Sequence, residues 1–257
     1  MISFLRKPPR NAALSKEALL PPGIRVYAIG DIHGRLDLLT ALGEQIREDC
    51  LHLPSLEPIA VFLGDYIDRG PDSAGVIEKL ANGDFPVPIV ALRGNHEATL
   101  LRFLEDETAL DEWRLYGGLE TLVSYGIDVK NVMRGAEYAA AQAALREALT
   151  PKHLSFFKES KLSWSAGDYF FCHAGIRPNI ALARQQEHDL LWIRQEFNDY
   201  QGPHEKIIVH GHTPVVEPEV LPNRINLDTG AYATGILTCL ALEGRERKFI
   251  ATTRAMA

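Results

Sequence analysis

The stretch "GIRVYAIGDIHGRLDLLTALGEQIREDC", Gly23–Cys50, decides the fold. It opens on an apolar run, Ile24–Ile29, that reads as a short buried strand. A turn rich in Gly, Asp and His follows, and then Leu38, Leu39, Leu42 and Ile46 recur at helical spacing. "EPIAVFLGDYIDRGPDS", Glu57–Ser73, repeats the order of buried run and polar turn, and Pro71 and Asp72 stand where a helix opens on "DSAGVIEKLANG". "FPVPIVALRGNHE", Phe85–Glu97, is a third strand with another helical stretch behind it. Strand and helix alternate, which is the pattern of βαβ units and an α/β fold.

The rest of the chain departs from that alternation. Residues 98–160 carry helical spacing ("ATLLRFLED", "AEYAAAQAALREALTPKHLSFFKES") and little strand signal, so a helical insertion is expected there. "LSWSAGDYFFCHAG", Leu162–Gly175, reads as a hairpin turning at Gly167 and Asp168. "EKIIVHGHTP" is another strand running into a polar turn, and "RINLDTGAYATGILTCLALEGRERKFIATT" closes the chain with short strands and Gly-rich turns. The first 20 residues, basic and bracketed by "KPP" and "LLPPG", read as a loosely held arm without a secretory h-region. Residues 21–257 are then expected to form one domain.

Composition sets limits. With 257 residues, 46% hydrophobic and 24% charged, the chain is long enough to bury a core without staples. A net charge of −7 argues against a nucleic-acid partner, which wants a basic footprint. No apolar run approaches the roughly 20 residues that span a bilayer, so no membrane partner is expected. Cys50, Cys172 and Cys239 show no metal-ligand spacing, and so sparse a set fits a reducing compartment, the cytoplasm.

Five strand-like runs end in "GDIHG", "GDYIDRG", "RGNHE", "CHAG" and "HGHTP". Ligands of open α/β sheets bind beyond the carboxyl ends of the strands, so five such loops can converge on one site. They offer Asp31, His33, Asp65, Asn95, His173 and His212, all O or N donors, a set that suits manganese, iron or zinc. By strand alternation Cys172 should face away from His173. Any one of these turns alone is no more than a strand end with a helix cap; their joint occurrence at successive strand ends is not.

In this order, the motifs resemble the phosphoprotein phosphatase family of calcineurin-like metallophosphoesterases, whose pattern is GDxHG, GDxxDRG, GNHE and two later histidine turns. The resemblance runs from Gly30 to about Gly230 and is closest to the short bacterial and phage-type serine/threonine protein phosphatases. It implies a metallophosphoesterase-type β-sandwich flanked by helices. It also implies two divalent metal ions, with manganese expected. Asp31 and His33 would hold the first, Asp65 would bridge both, and Asn95, His173 and His212 would complete the second. His96 would be the general acid, Asp68 would orient it, and Arg69 and Arg194 would grip phosphate oxygens. Glu97 is expected to be structural and His210 to brace the neighbouring ligand, with His52, His153, His188 and His204 on the surface. The implied reaction is hydrolysis of a phosphomonoester by water activated between the metals. Phosphoserine and phosphothreonine in proteins are the leading expectation, with phosphotyrosine as an extension. The alternative is a dinucleoside polyphosphate hydrolase, diadenosine tetraphosphate included, or another small-molecule phosphoesterase. A binding module on a dead phosphatase scaffold fits poorly with six intact ligands and His96.

Overall fold

The computed structural model describes residues 18–52 and 56–253. The chain begins β1 (Ile24–Ile29), α1 (Leu36–Leu51), β2 (Glu57–Phe62), α2 (Ser73–Ala81), β3 (Ile89–Ala91) and α3 (Asn95–Glu105). The helical stretch continues through α4 (Leu110–Trp113), α5 (Gly118–Ser124), α6 (Tyr138–Ala148) and α7 (Pro151–Glu159). Then come β4 (Ser163–Ala166), β5 (Tyr169–Cys172), α8 (Glu187–Trp192), α9 (Gln195–Asn198), β6 (Ile207–His210) and β7 (Glu219–Val220). The last elements are β8 (Arg224–Asn226), α10 (Ala231–Thr234), β9 (Thr238–Glu243) and β10 (Glu246–Ala251).

Two five-stranded sheets face each other, in the orders β10-β9-β1-β2-β3 and β4-β5-β6-β8-β7. In the first, β1, β2 and β3 are parallel, while β9 runs antiparallel to β1. In the second, β5, β6 and β8 are parallel. Both sheets therefore present the carboxyl ends of three parallel strands. The alternation of side chains divides each strand between two cores. Val26 and Ala28 point between the sheets with Val61, Phe171, Val209 and Leu227. Tyr27 and Ile29 point the other way, into a core with Leu39, Leu42 and Ile77 of α1 and α2. Because β1 is buried on both faces, its run is apolar from Val26 to Ile29, as expected for a central parallel strand, and the buried Arg25 before it is paired with Asp49 and Glu243. On the outside of the second sheet, Cys172 and Ile208 pack on Leu190, Ile193 and Phe197, so Cys172 does face away from His173.

The expected hairpin is present, with Gly167 (φ 51°) in its two-residue turn. The insertion is helical as expected, and Leu100, Phe103, Trp113, Leu145 and Phe157 seat it on the same core as α1 and α2. Three expectations need correction. "GNHE" is not a strand end: β3 stops at Ala91 and Asn95 already opens α3. Glu97 sits three residues past the N-cap Gly94 and accepts its N–H at 2.8 Å, the return half of a capping box. Leu19 and Leu20 are not part of a loosely held arm. Leu20 is fully buried and donates to Gly244 O (2.9 Å), and Leu19 donates to Asp168 Oδ2 (2.8 Å); residues 1–17 lie outside the described residues. His153 is not on the surface. It lies on the buried face of α7 with Phe157, and its ring bridges Tyr125 Oη (3.1 Å) and Glu78 Oε2 (2.7 Å). His204 is also half-buried, stacked between Phe197 and Tyr200. No helix of the described residues is long and apolar enough to cross a membrane.

Candidate active site

Asp31 and His33 follow β1, Asp65 follows β2, Asn95 follows β3, His173 follows β5 and His212 follows β6. The two sheets thus bring all six expected ligands to the same end of the sandwich, and all six are buried. The turns that carry them are strained. Seven non-glycine residues among those described have positive φ, and five belong here: His33, Asp65, Asp68, Arg69 and His212, at 47° to 74°. Left-handed backbone at such residues costs about 1–3 kcal/mol each and persists only where neighbours enforce it. Close approach requires glycine too: a Cβ on Gly94 would lie 2.0 Å from Asp65 Oδ1.

The imidazoles are aimed. His33 Nδ1–H donates to Ile67 O (2.8 Å) and His173 Nδ1–H to Leu63 O (3.0 Å). Carbonyls only accept, so these contacts fix the tautomer and turn both Nε2 lone pairs inward. His173 Nε2 then meets Asn95 Oδ1 at 2.9 Å, His212 Nδ1 at 3.1 Å and Asp65 Oδ1 at 3.3 Å. That is a crowd of acceptors around one point. A bound cation or a second ring proton at that point would satisfy them together. Asp65, His173 and His212 form one group with metal-binding spacing, and His33, Asp65 and His96 form another. Asp65 belongs to both.

Asp31 joins neither of those groups. One of its oxygens accepts the His212 N–H (3.0 Å), and the other is buried without a partner, as is His212 Nε2. Burial and the nearby charges of Asp228 and Asp65 hold the Asp31 carboxyl well above the usual carboxylate range. Burial opposes the charge of Asp65 as well, but the surrounding His173, His96 and His33 pull its pKa well below normal. Burial and His96 lower His33, and burial and His173 lower His212 to about 2, so both rings are neutral donors at ordinary pH. Neutral imidazoles, crowded carboxylates and no thiolate are the donor set of a borderline divalent cation.

His96 has a separate environment. Its Nδ1 lies 2.5 Å from Asp68 Oδ2, and its Nε2 lies 3.2 Å from Arg69 Nη2. Burial works against the imidazolium, but the Asp65 and Asp68 carboxylates outweigh it and raise the pKa to about 8. Arg69 reaches His33 Nε2 as well (3.0 Å), so its guanidinium lies across the group of His33, Asp65 and His96. Arg194 is not within a helix; it is the exposed residue before α9, and it donates to His212 O (3.1 Å) at the rim. Glu97 is fully buried and accepts from the N–H groups of Gly94, Asp65, Tyr66 and Ile67 (2.8–3.4 Å). It therefore shapes the loop that carries Asp65. His210 turns its ring onto Phe197 (4.9 Å) on the outer side of the sheet, and its Nδ1 lies 3.1 Å from Gly211 O, in the turn that carries His212. Residues that the motifs did not single out also belong to the site. Asp228 lies close enough to Asp31 to raise its pKa. Tyr232, 39% exposed, packs edge-on against His33 (5.4 Å) and under the Arg69 guanidinium (4.8 Å). Trp113 and Thr121 both donate to Asp68.

A sandwich whose two sheets deliver histidines and carboxylates to a shared aspartate is the architecture of a metal-dependent phosphoesterase. Residues 24–234 match the Calcineurin-like phosphoesterase family, and the chain belongs to that family. It is 29% identical over 254 residues to bis(5'-nucleosyl)-tetraphosphatase PrpE (asymmetrical) of Oceanobacillus iheyensis, covering 87% of this chain and 90% of that protein. The protein of the same name from Anoxybacillus flavithermus is 29% identical over 247 residues, with 88% and 93% covered. Among solved structures, one described provisionally as a diadenosine tetraphosphatase superposes with a TM-score of 0.62 at 20% identity, covering 93% of this chain and all (100%) of that one. A cold-active protein-tyrosine phosphatase of a Shewanella species gives 0.54 at 16% identity, with 93% and 83% covered. A protein serine/threonine phosphatase from Saccharomyces cerevisiae gives 0.54 at 15%, with 92% and 81% covered. At these identities the structures share the fold and nothing finer is carried over.

Proposed function

We propose that this phosphoesterase hydrolyses dinucleoside polyphosphates, splitting a tetraphosphate asymmetrically into a nucleoside monophosphate and a nucleoside triphosphate. The observation that carries hydrolysis is the shared position of Asp65 between two groups of inward-facing imidazoles. The substrate class rests on relatives of that name that align along most of their length. The expectation of a phosphoprotein substrate rests on the DRG and GNHE forms alone, and the relatives support the small-molecule alternative better.

His33 and Asp65 would hold one divalent cation with Asp31, and Asp65, Asn95, His173 and His212 would hold the other. When bound, such ions neutralise phosphate charge and acidify water for attack on phosphorus. The chain's own side chains do the rest. Arg69 presents a planar fork to two oxygens of the phosphate under attack, and its stack on Tyr232 keeps the fork in place. Arg194, at the rim, meets phosphates farther along the chain. His96 Nε2 delivers a proton to the departing oxygen while Asp68 holds Nδ1 and fixes the ring's direction. Phosphate transfer asks for little beyond this placement of charge and proton.

The test is a comparison of purified, manganese-loaded protein on diadenosine tetraphosphate and on a phosphoserine peptide, with products separated by chromatography. The reading expects AMP and ATP in equal amounts, and a kcat/KM on the dinucleotide well above that on the peptide. Faster turnover of the peptide would overturn it in favour of a protein phosphatase.

A further inference from the structure

We propose that Trp113 and Thr121, on the helical insertion, are positioning residues for the Asp68–His96 pair, so that the insertion is part of the catalytic machinery and more than a cover over it. The inference rests on the reading of His96 as the proton donor. Its own observation is where the Asp68 carboxylate finds its partners. Asp68 is fully buried. Oδ2 accepts His96 Nδ1–H at 2.5 Å and Trp113 Nε1–H at 2.7 Å, and Oδ1 accepts the Thr121 hydroxyl at 2.5 Å. Both helpers are fully buried as well, and they come from 45 and 53 residues downstream.

The backbone is held from the same side. Asp68 and Arg69 are consecutive residues at φ 74° and 66°. Such a corner relaxes unless its surroundings enforce it. Here Thr121 Oγ1 (2.9 Å) shares the Asp68 N–H with Ser73 Oγ (3.0 Å), and Gly117 O accepts the Arg69 N–H (3.3 Å). Gly117 allows that approach because a Cβ on it would lie 2.5 Å from Arg69 N. One short segment, residues 113–121, thereby fixes the carboxylate that aims His96 and the backbone that aims Arg69. A fold that only needed to cover the core with Trp113 would not require its N–H to end on that carboxylate. A buried indole donor needs an acceptor, and many carbonyls would serve.

The experiment compares wild type with W113F and T121V, which keep the shape and remove the donor, and with T121S, which restores it. Each is assayed at full metal loading for kcat and KM on diadenosine tetraphosphate. In parallel, proton NMR follows the far-downfield resonance of the His96 Nδ1–H, identified by its loss in H96N. W113F and T121V are expected to shift or broaden that resonance. They should lower kcat about tenfold, part of the 10²–10⁴-fold that a placed general acid contributes, and leave KM within about twofold. T121S should recover both signals. An unchanged resonance in both variants overturns the inference, whatever the substrate. So does a kcat loss that follows metal content or melting temperature and that T121S does not recover. Failure of the functional reading looks different: the wild type itself would not turn over the dinucleotide, or H96N would retain full kcat.

Discussion

Replacing Glu97 with glutamine should unseat Asp65 without touching it. Glu97 Oε1 accepts from Tyr66 N (2.8 Å) and Ile67 N (3.4 Å), and Oε2 from Asp65 N (2.9 Å) and Gly94 N (2.8 Å). Whichever way a glutamine amide turns, its NH2 group confronts two of these buried N–H donors. Each donor left unsatisfied costs about 1–3 kcal/mol, so E97Q should lose roughly 2–6 kcal/mol, a large part of a typical 5–15 kcal/mol stability. For a chain of this size that is a melting temperature lower by about 5–20 °C. Three of the N–H groups belong to the loop on which Asp65 sits at φ 53°, and the fourth, Gly94, caps the helix that carries Asn95, so metal affinity should fall with stability. Differential scanning calorimetry with and without manganese reads both effects. A melting temperature within about 1 °C of wild type, with metal affinity retained, would show that the four contacts do not brace the loop and would refute the reasoning.

Three further outcomes follow from the site. Chelation should abolish turnover and added manganese should restore it; full activity in protein shown to be metal-free by elemental analysis would contradict the neutral-imidazole donor set. Tyr232→Ala should raise KM for diadenosine tetraphosphate about three- to tenfold, because it removes an exposed ring that stacks on Arg69, and should raise KM for a phosphate without a base less. Equal changes on both substrates would confine the ring to steadying Arg69. Arg194→Ala should raise KM roughly two- to fivefold and keep kcat, as expected of an exposed charge at a rim, and a large loss of kcat would move it to the reacting phosphate.

The parts of this site that were legible in the sequence are the ones covalently next to a strand. "GDIHG", "GDYIDRG", "CHAG" and "HGHTP" each follow a short buried run, and a chain leaving a parallel strand has one place to put its next residues. Asp31, His33, Asp65, His173 and His212 are buried there. What could not be read depends on packing between distant segments. Trp113 and Thr121 lie on helices whose spacing says which face is buried and nothing about which polar atom meets which. Asp68 gives no sign in its own motif that its partners lie in the insertion. His210 is the last residue of β6, and strand alternation puts its ring on the outer face with Ile208 and Phe197. His153 did carry a readable signal, since Phe157 four residues later shares its buried helix face.

The central claim is that Asp65 serves both cation sites, and metal stoichiometry tests it most directly. Elemental analysis of wild type and Asp65→Asn, each loaded with manganese and freed of excess metal, counts ions per chain. The substitution keeps the shape and removes the charge that both imidazole groups face. The account predicts about two ions in wild type, as in sites that clamp both oxygens of an in-line displacement, and loss from both sites in the variant. An Asp65→Asn protein that still carries both ions, or a fully active wild type that holds only one, would contradict it.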